Sequence, residues 1–334
     1  MFESFMNLLR EITLPNGRKT LNLGFGCAGI LRLPTKWQRE RLLGSAFDAG
    51  LTHFDVARMY GAGAAEGILG SWLRARRSQV TLATKFGFPC GVPNRRIIFI
   101  QSVGRWAVNL HQPLKQRMKR RTAAKGGHRH YDYSVEEMER SLDVSLRELK
   151  TDSLDLFFVH EPRQIDALPE DLADALRRKQ AEGKFGAYGI SAMVEDMLFF
   201  LENRADLCGE ARQQNFVLGA SRLLPDVPYS GVFHVLSGTL PRCQDLLKAD
   251  TNLAREWSDR LSMDLKRPEN VAVAILAIAL NENPNGMVLF FTSQPARIRA
   301  TVERLRENSY SADMLTEFRG VLSFCEKDRH AARS

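Results

Sequence analysis

Short runs of apolar and β-branched residues alternate with stretches of helical periodicity from about residue 21 to residue 306. The predicted strands are LNLGFGCAGI, HFDVARMY, VTLATKFGF, SLDLFFVH, AYGIS, NFVLGAS, GVFHVLSG and GMVLFFTS. The predicted helices lie over residues 35–49, 65–76, 134–149, 168–181, 194–201, 271–279 and 295–305. This alternation is typical of an α/β fold with a parallel sheet, and eight such strands predict a (β/α)₈ TIM barrel.

One connection conflicts with this pattern. The link between NFVLGAS and GVFHVLSG covers residues 222–230. It has about nine residues, two of which are prolines. A crossover between parallel strands requires a dozen or more residues. Either the sixth barrel helix is missing, or one of the two strands is placed wrongly.

The chain shows neither an internal repeat nor a low-complexity linker. We therefore predict a single barrel domain over residues 1–334, with its core at about 21–306. Apolar residues make up 44% and charged residues 26% of the 334 residues, which excludes a disordered, collagen-like or coiled-coil protein.

Location and metal content can also be inferred from the composition. No apolar run reaches the roughly 18 to 20 residues of a membrane span. The start, MFESFMNLLRE, does not resemble a secretion signal. The five cysteines are widely spaced and form no C-x-x-C pair, as expected of reduced thiols. We therefore predict a cytoplasmic protein without a membrane span, a disulfide framework or a metal site.

Positive charge is concentrated in one segment. The net charge is +8, yet residues 91–131 contain ten lysines and arginines and no acidic residue, so the rest of the chain is close to neutral. We call residues 91–131 the basic segment. It is an insertion directly after the third predicted strand, and on a barrel it is expected to lie over the mouth formed by the C-terminal ends of the strands.

The basic segment has three interpretations. The first is a mobile solvated loop. The second is a lid that attracts an anionic substrate, carrier or cofactor phosphate, since a cleft lined by charges of one sign concentrates ligands of the opposite charge. The third interpretation is a surface that binds nucleic acid or an anionic membrane. No nucleic-acid-binding fold surrounds the segment, so no nucleic-acid partner is expected.

Four side chains suited to catalysis lie at or after the ends of predicted strands. Asp55 and Tyr60 lie in THFDVARMYG, Lys85 in LATKFGF and His160 in LFFVHEP. In a barrel all four would meet at one mouth. A lysine buried beside a tyrosine lowers the pKa of the phenol, and a carboxylate holds that lysine charged. A neutral histidine orients a carbonyl oxygen, so the set is suited to protonating an oxygen while hydride reaches the neighbouring carbon.

These motifs resemble a known family. HFDVARMYGAGAAEGILGSWL, LATKFG, SLDLFFVHEP and AYGIS, in this order, look like the aldo-keto reductases, and the resemblance runs from about residue 21 to residue 306. It implies a (β/α)₈ barrel without a Rossmann domain and with NADP(H), or alternatively NAD(H), bound across the mouth. It also implies that Tyr60 is the general acid, that Lys85 and Asp55 tune it, and that His160 places the substrate carbonyl.

The same resemblance implies a set of cofactor-binding residues. They are Gly26, Asp55, Ser191, Phe233, Leu236, Thr292, Ser293 and Arg297. Three positions depart from the family pattern. Ala192 stands in place of an asparagine, Leu218 is the nearest equivalent of a glutamine on the sixth strand, and Phe291 replaces a lysine.

Two functions follow from the resemblance and its departures. The first is an NAD(P)H-dependent oxidoreductase that interconverts a carbonyl (an aldehyde or ketone) and an alcohol by hydride transfer, with Tyr60 as general acid/base. The second is a non-catalytic cofactor sensor or regulatory subunit on the same barrel, which Ala192, Leu218 and Phe291 would explain. The expected partner is a small-molecule substrate, anionic if the basic segment attracts it, and the chain is expected to be a monomer or a weak oligomer.

Overall fold

Eight parallel strands form a closed barrel in the computed structural model, which describes residues 7–89, 131–220, 224, 226–237, 239–307 and 310–331. The barrel strands are β3 (Leu23–Gly26), β4 (His53–Asp55), β5 (Thr81–Phe86), β6 (Leu154–His160), β7 (Phe185–Ala192), β8 (Ala211–Asn215), β9 (Tyr229–Phe233) and β10 (Met287–Phe290). They follow one another in chain order around the barrel, and β10 pairs with β3 to close it. The predicted (β/α)₈ fold is confirmed.

Helices surround this barrel. They are α1 (Lys36–Asp48), α2 (Ala64–Leu73), α3 (Val135–Leu149), α4 (Leu172–Ala181), α5 (Val194–Asn203), α6 (Ala205–Cys208), α7 (Thr239–Ala249), α8 (Thr251–Arg260), α9 (Pro268–Glu282), α10 (Pro295–Glu307) and α11 (Ala312–Ala331). All seven predicted helices are present, whereas α6, α7, α8 and α11 were not predicted. Among the described helices none is long and apolar enough to cross a membrane.

The sixth barrel strand lies earlier in the chain than predicted. The prediction placed it at residues 215–221, whereas β8 is Ala211–Asn215. The link to β9 therefore covers residues 216–228, and its described residues contain no α-helix. The short connection noted in the sequence thus arose from a misplaced strand. The sequence of β8, ARQQN, is polar, and its inward-facing Gln213 bonds within the barrel, so no apolar run marks this strand.

A short hairpin covers the N-terminal end of the barrel. It consists of β1 (Glu11–Thr13) and β2 (Lys19–Leu21), and its Ile12 packs on side chains inside the barrel. Asp155, near the start of β6, accepts hydrogen bonds from Asn16 Nδ2 at 2.9 Å and Arg18 Nη1 at 3.1 Å in the hairpin turn. Its other oxygen accepts from Arg77 Nη2 at 3.1 Å. This end of the barrel is closed by charged hydrogen bonds as well as by apolar packing.

The interior of the barrel contains a neutral histidine. His53 on β4 is fully buried, and its Nδ1 lies 2.9 Å from Thr81 Oγ1. Burial lowers the pKa of His53 to about 4. An unfolded histidine binds a proton near pH 6.5, so the unfolded chain binds more protons than the folded one between pH 6.5 and 4.

We therefore expect His53 to weaken the folded state as the pH falls from 6.5 to 4, by at most roughly 3 kcal/mol. The free energy of unfolding should fall less over this range in His53→Gln than in wild type. Urea denaturation at a series of pH values measures the difference. A ring of His53 that titrates near pH 6.5 by NMR in the folded protein would contradict the prediction.

Candidate active site

The four predicted catalytic residues meet at the C-terminal mouth of the barrel. Lys85 Nζ on β5 donates to Asp55 Oδ1 at 2.5 Å and to the Val56 carbonyl at 3.2 Å. Tyr60 follows β4, and its ring lies edge-on to that of His160, the last residue of β6, with centroids 6.0 Å apart. Lys85 Nζ lies 5.9 Å from the centre of the Tyr60 ring. Residues from three strand ends thus form one polar cluster.

The predicted lowering of the Tyr60 pKa is wrong for this structure. Burial raises the pKa of the Tyr60 hydroxyl well above its ordinary value of about 10, and the carboxylates of Asp55 and Glu161 raise it further. The main reason is burial of the hydroxyl, and the Lys85 ammonium that was expected to lower this pKa is itself paired with Asp55 at 2.5 Å. Tyr60 is therefore protonated throughout the neutral range, which is the state that a proton donor requires.

Gln213 is a site residue that the sequence analysis missed. Its Nε2 donates to Asp55 Oδ2 at 2.8 Å, and its Oε1 accepts from Ser191 Oγ at 3.2 Å. Ser191 and Gln213 are register partners on β7 and β8. The sixth strand thus carries two glutamines, Gln213 and Gln214, whereas Leu218, the predicted equivalent, lies beyond the end of β8 and packs on the core.

A buried ion pair lies behind the catalytic cluster. Arg58 Nη1 donates to Glu66 Oε2 at 2.7 Å, and both side chains are at most 1% exposed. Glu66 Oε1 accepts from Thr84 Oγ1 and from Ser145 Oγ, each at 2.7 Å. Arg58 lies two residues before Tyr60, and Thr84 directly precedes Lys85. Glu66 therefore ties the loop of the proposed acid to the strand of the lysine.

Several of the predicted cofactor residues lie along the rim of the same mouth. Gly26 ends β3, and a Cβ placed on it would meet no atom nearer than the Phe290 carbonyl oxygen at 3.8 Å. Ser191 is near the end of β7 and buried, and Phe233 is the last residue of β9. Leu236 lies in the turn that follows, half-buried against the core. The space beside Gly26 permits a close approach of a ligand to the backbone.

The remaining predicted cofactor residues lie where β10 leads into α10. Thr292 and Ser293 are half-buried, and Thr292 Oγ1 accepts from the backbone N–H of Gln294 at 3.3 Å. Arg297 is exposed in the first turn of α10. The N-terminus of a helix of this length offers free N–H groups and a positive dipole to an anion.

The two other departures from the family pattern are located as follows. Ala192 is the last residue of β7 and is buried. Phe291 follows β10, and a Cβ placed on Gly29 would lie 2.2 Å from its ring, so the ring packs directly on that glycine. The guanidinium carbon of Arg32 lies 5.6 Å from the centre of the Phe291 ring. A cation thus lies over the phenylalanine that replaces the expected lysine.

Aromatic side chains form one wall of the mouth. The rings of Tyr131 and Tyr133 are parallel, with centroids 5.8 Å apart, and Phe88 meets Tyr131 edge-on at 6.0 Å. Tyr133 Oη donates to the His160 carbonyl at 3.0 Å. Phe88 and Tyr131 flank the predicted basic segment, which lies outside the described residues apart from Tyr131 itself.

Two further ionisable residues at the mouth were also missed. Glu161 directly follows His160, and His234 directly follows β9. Both are held at positive φ, 50° and 59° respectively. Burial lowers the pKa of His234, while the charge of Glu161 opposes this change. Their position after a strand is visible in the sequence, but their backbone conformation is not.

Known proteins resemble this chain in both sequence and fold. A D-threo-aldose 1-dehydrogenase from a Pseudomonas species is 30% identical over 195 residues, which cover 55% of this chain and 54% of that protein. A Schizosaccharomyces pombe aldo-keto reductase, yakc [NADP(+)], is 30% identical over 175 residues, covering 51% and 42%. The chain thus spans about half the length of these curated relatives.

Solved structures share the barrel over nearly its whole length. An aldo-keto reductase from Bacillus halodurans in its holo form superposes with a TM-score of 0.67 at 18% identity, covering 94% of this chain and 96% of that one. One from Klebsiella pneumoniae in complex with NADPH gives 0.64 at 18% identity, covering 94% and 95%. At this identity the likeness shows the fold. The sequence model of the Aldo/keto reductase family matches residues 22–322, and the chain therefore belongs to that family.

Proposed function

We propose that this chain is an NAD(P)H-dependent oxidoreductase that interconverts an aldehyde or ketone and the corresponding alcohol, with Tyr60 as general acid/base. The observation that supports this most is the meeting of Tyr60, Lys85 and His160 at one mouth, with the Tyr60 and His160 rings 6.0 Å apart. Family membership supports the same class of reaction. When bound, the cofactor supplies the hydride, which no side chain can provide.

The side chains would handle the proton and the carbonyl oxygen. Tyr60, whose pKa is raised by burial, holds the proton that the developing alkoxide needs. His160, edge-on to Tyr60, would orient the carbonyl oxygen toward that hydroxyl. Lys85 would favour the negative charge that develops on the Tyr60 oxygen as it gives up its proton, and Asp55 keeps the lysine in place at 2.5 Å.

The described residues fit a nicotinamide dinucleotide at both of its ends. Ser191 and Gln213 place a hydroxyl and an amide beside Asp55, and these groups suit a carboxamide. The start of α10, with the exposed cation of Arg297, suits a phosphate. We propose NADP(H) rather than NAD(H), in line with the NADPH bound in the Klebsiella structure.

Turnover tests the proposal. Wild-type protein mixed with NADPH should consume it when aldehydes and ketones are added, as followed by the absorbance of the reduced nicotinamide. The same series with NADH measures the cofactor preference. Binding of NADPH without consumption of any carbonyl would contradict the proposed activity.

The variant Arg297→Met should weaken NADPH binding more than NADH binding, because the 2′-phosphate is the group by which the two cofactors differ.

The alternative, a non-catalytic cofactor sensor, has lost one of its supports. It rested on Ala192, Leu218 and Phe291, but the sixth strand does carry glutamines, and one of them, Gln213, is bonded to Asp55. Arg32 also brings a cation over Phe291. We therefore favour the enzyme.

A further inference from the structure

A chain of buried hydrogen bonds links the end of β7 to the ammonium of Lys85. Ser191 Oγ donates to Gln213 Oε1 at 3.2 Å, and Gln213 Nε2 donates to Asp55 Oδ2 at 2.8 Å. Asp55 Oδ1 in turn accepts from Lys85 Nζ at 2.5 Å. All four residues are at most 3% exposed. Water therefore has little access to these bonds, and each is stronger than it would be at the surface.

Gln213 is held in one orientation by its neighbours. An ionised carboxylate only accepts hydrogen bonds, so the group of Gln213 that faces Asp55 is its N–H. The hydroxyl of Ser191 donates to the carbonyl oxygen of the same amide, which agrees with that orientation. Gln213 is the register partner of Gly231 on β9, and a Cβ placed on Gly231 would lie 2.7 Å from Gln213 Cγ. The glycine thus leaves the room in which the glutamine reaches Asp55.

The Asp55 carboxylate depends on Gln213 at one of its two oxygens. Within the described part of the chain, Oδ1 accepts from Lys85 and Oδ2 accepts from Gln213. A buried acceptor that loses its donor costs the full desolvation of that atom, so without Gln213 the carboxylate would turn toward another partner. Because Asp55 holds Lys85 Nζ, such a turn would move the ammonium away from the Tyr60 ring, whose centre lies 5.9 Å from it.

We propose that Gln213 is a positioning residue for the acid: it holds the Asp55 carboxylate in the orientation that keeps the Lys85 ammonium beside Tyr60. This inference rests on the proposed function and gives Gln213 a role in the chemical step, in addition to any contact with the cofactor. A residue that acts through the position of the reacting groups changes kcat, whereas a contact to the cofactor alone changes its affinity.

A double-mutant cycle on kcat tests the inference. With NADPH and a carbonyl compound both saturating, we expect Gln213→Leu to lower kcat about tenfold or more, since hydrogen bonds to charged groups are among the strongest in proteins. In the Asp55→Asn background the same substitution should lower kcat less than about twofold, because the residue through which it acts is already altered. Gln214→Leu is the matched control. Gln214 is the buried neighbour on β8 that lines a cavity against α9, and its loss should leave kcat unchanged.

The ammonium of Lys85 provides a second measurement, which needs no turnover. In cofactor-free protein with isotope-labelled lysine, its NMR signal is identified by its loss in Lys85→Met. We expect the exchange of its protons with water to become several-fold faster in Gln213→Leu and to stay unchanged in Gln214→Leu. Gly231→Ala keeps the amide but displaces Gln213, so it should act in the same direction, and it replaces Gln213→Leu if that variant does not fold.

The two measurements separate this inference from the proposed function. If no carbonyl compound is reduced but proton exchange at Lys85 changes as described, the proposed function fails and the hold of Gln213 on Asp55 and Lys85 stands. Unchanged exchange in Gln213→Leu and in Gly231→Ala would overturn the inference. An equal loss of kcat in the wild-type and Asp55→Asn backgrounds would overturn it as well, because Gln213 would then act independently of Asp55.

Discussion

Replacement of Tyr60 by phenylalanine is expected to lower kcat and kcat/KM for carbonyl reduction by about 10²- to 10⁴-fold, the usual contribution of a positioned acid. Phenylalanine keeps the ring that meets His160 edge-on at 6.0 Å and removes only the hydroxyl. The affinity for NADPH and the melting temperature should therefore stay close to those of wild type. Steady-state kinetics and a cofactor titration on the same preparation measure both effects.

The matched control is Tyr133→Phe. Its hydroxyl donates to the His160 carbonyl at 3.0 Å, so this variant removes a second buried phenol from the mouth without removing the proposed acid. We expect a loss of less than about tenfold, since one neutral hydrogen bond contributes roughly 1 kcal/mol. Wild-type rates in Tyr60→Phe would exclude Tyr60 as the acid.

The pH profile gives an independent check on Tyr60. An acid must be protonated to act, and burial raises the pKa of Tyr60 above its ordinary value of about 10. The rate of reduction should therefore show no alkaline decline attributable to Tyr60 below about pH 10. A decline centred near neutral pH that disappears in Tyr60→Phe would indicate a lowered pKa and would contradict the electrostatics described above.

The substitution Glu66→Gln is expected to lower the free energy of unfolding by about 3 to 5 kcal/mol, the usual cost of breaking a buried ion pair. Arg58 and Glu66 are at most 1% exposed and lie 2.7 Å apart, so the variant deprives a buried guanidinium of its carboxylate. The hydroxyls of Thr84 and Ser145 lose a charged acceptor as well. Urea denaturation measures the loss.

Two further variants make this prediction specific. Glu11→Gln alters an exposed pair with Lys19, both more than 60% exposed, and should cost less than about 1 kcal/mol. The double variant Arg58→Met, Glu66→Gln should be more stable than Glu66→Gln alone, because it removes the unbalanced charge. A double variant whose loss equals the sum of the two single losses would show that the two residues act independently.

The barrel and the four catalytic candidates could be predicted because their signals are local. The strands that carry Asp55, Lys85 and His160 are short buried runs, and a parallel barrel brings their ends together whatever their separation in sequence. The strand β8 was misplaced because Gln213 faces inward, so the strand has no apolar run. Helix α8 left a usable signal in Asp250, whose carboxylate accepts from the N–H groups of Asn252 and Leu253.

Other properties of the site depend on three-dimensional placement. The direction of the Tyr60 pKa shift depends first on the depth of burial and then on the nearby charges of Asp55 and Glu161, and neither can be obtained from spacing. The positive φ of Glu161 accompanies a bond from its N–H to the carbonyl of Ser191, which lies on the next strand. Sequence reasoning located the four catalytic candidates but not the residues bonded to them, such as Gln213.

The pairing of Phe88 with Tyr131 has a consequence for the evolution of this barrel. Their rings lie 6.0 Å apart, and the Gly87 carbonyl accepts from the N–H of Asp132 at 3.0 Å, so the chain leaves and re-enters the barrel at a single tied point. Loop-closure entropy grows only slowly with length, by about 0.6 kcal/mol for each doubling. The tie between these anchors fixes where the end of β5 and the approach to α3 lie, so natural selection could change the length of the chain between them at little entropic cost to the barrel strands.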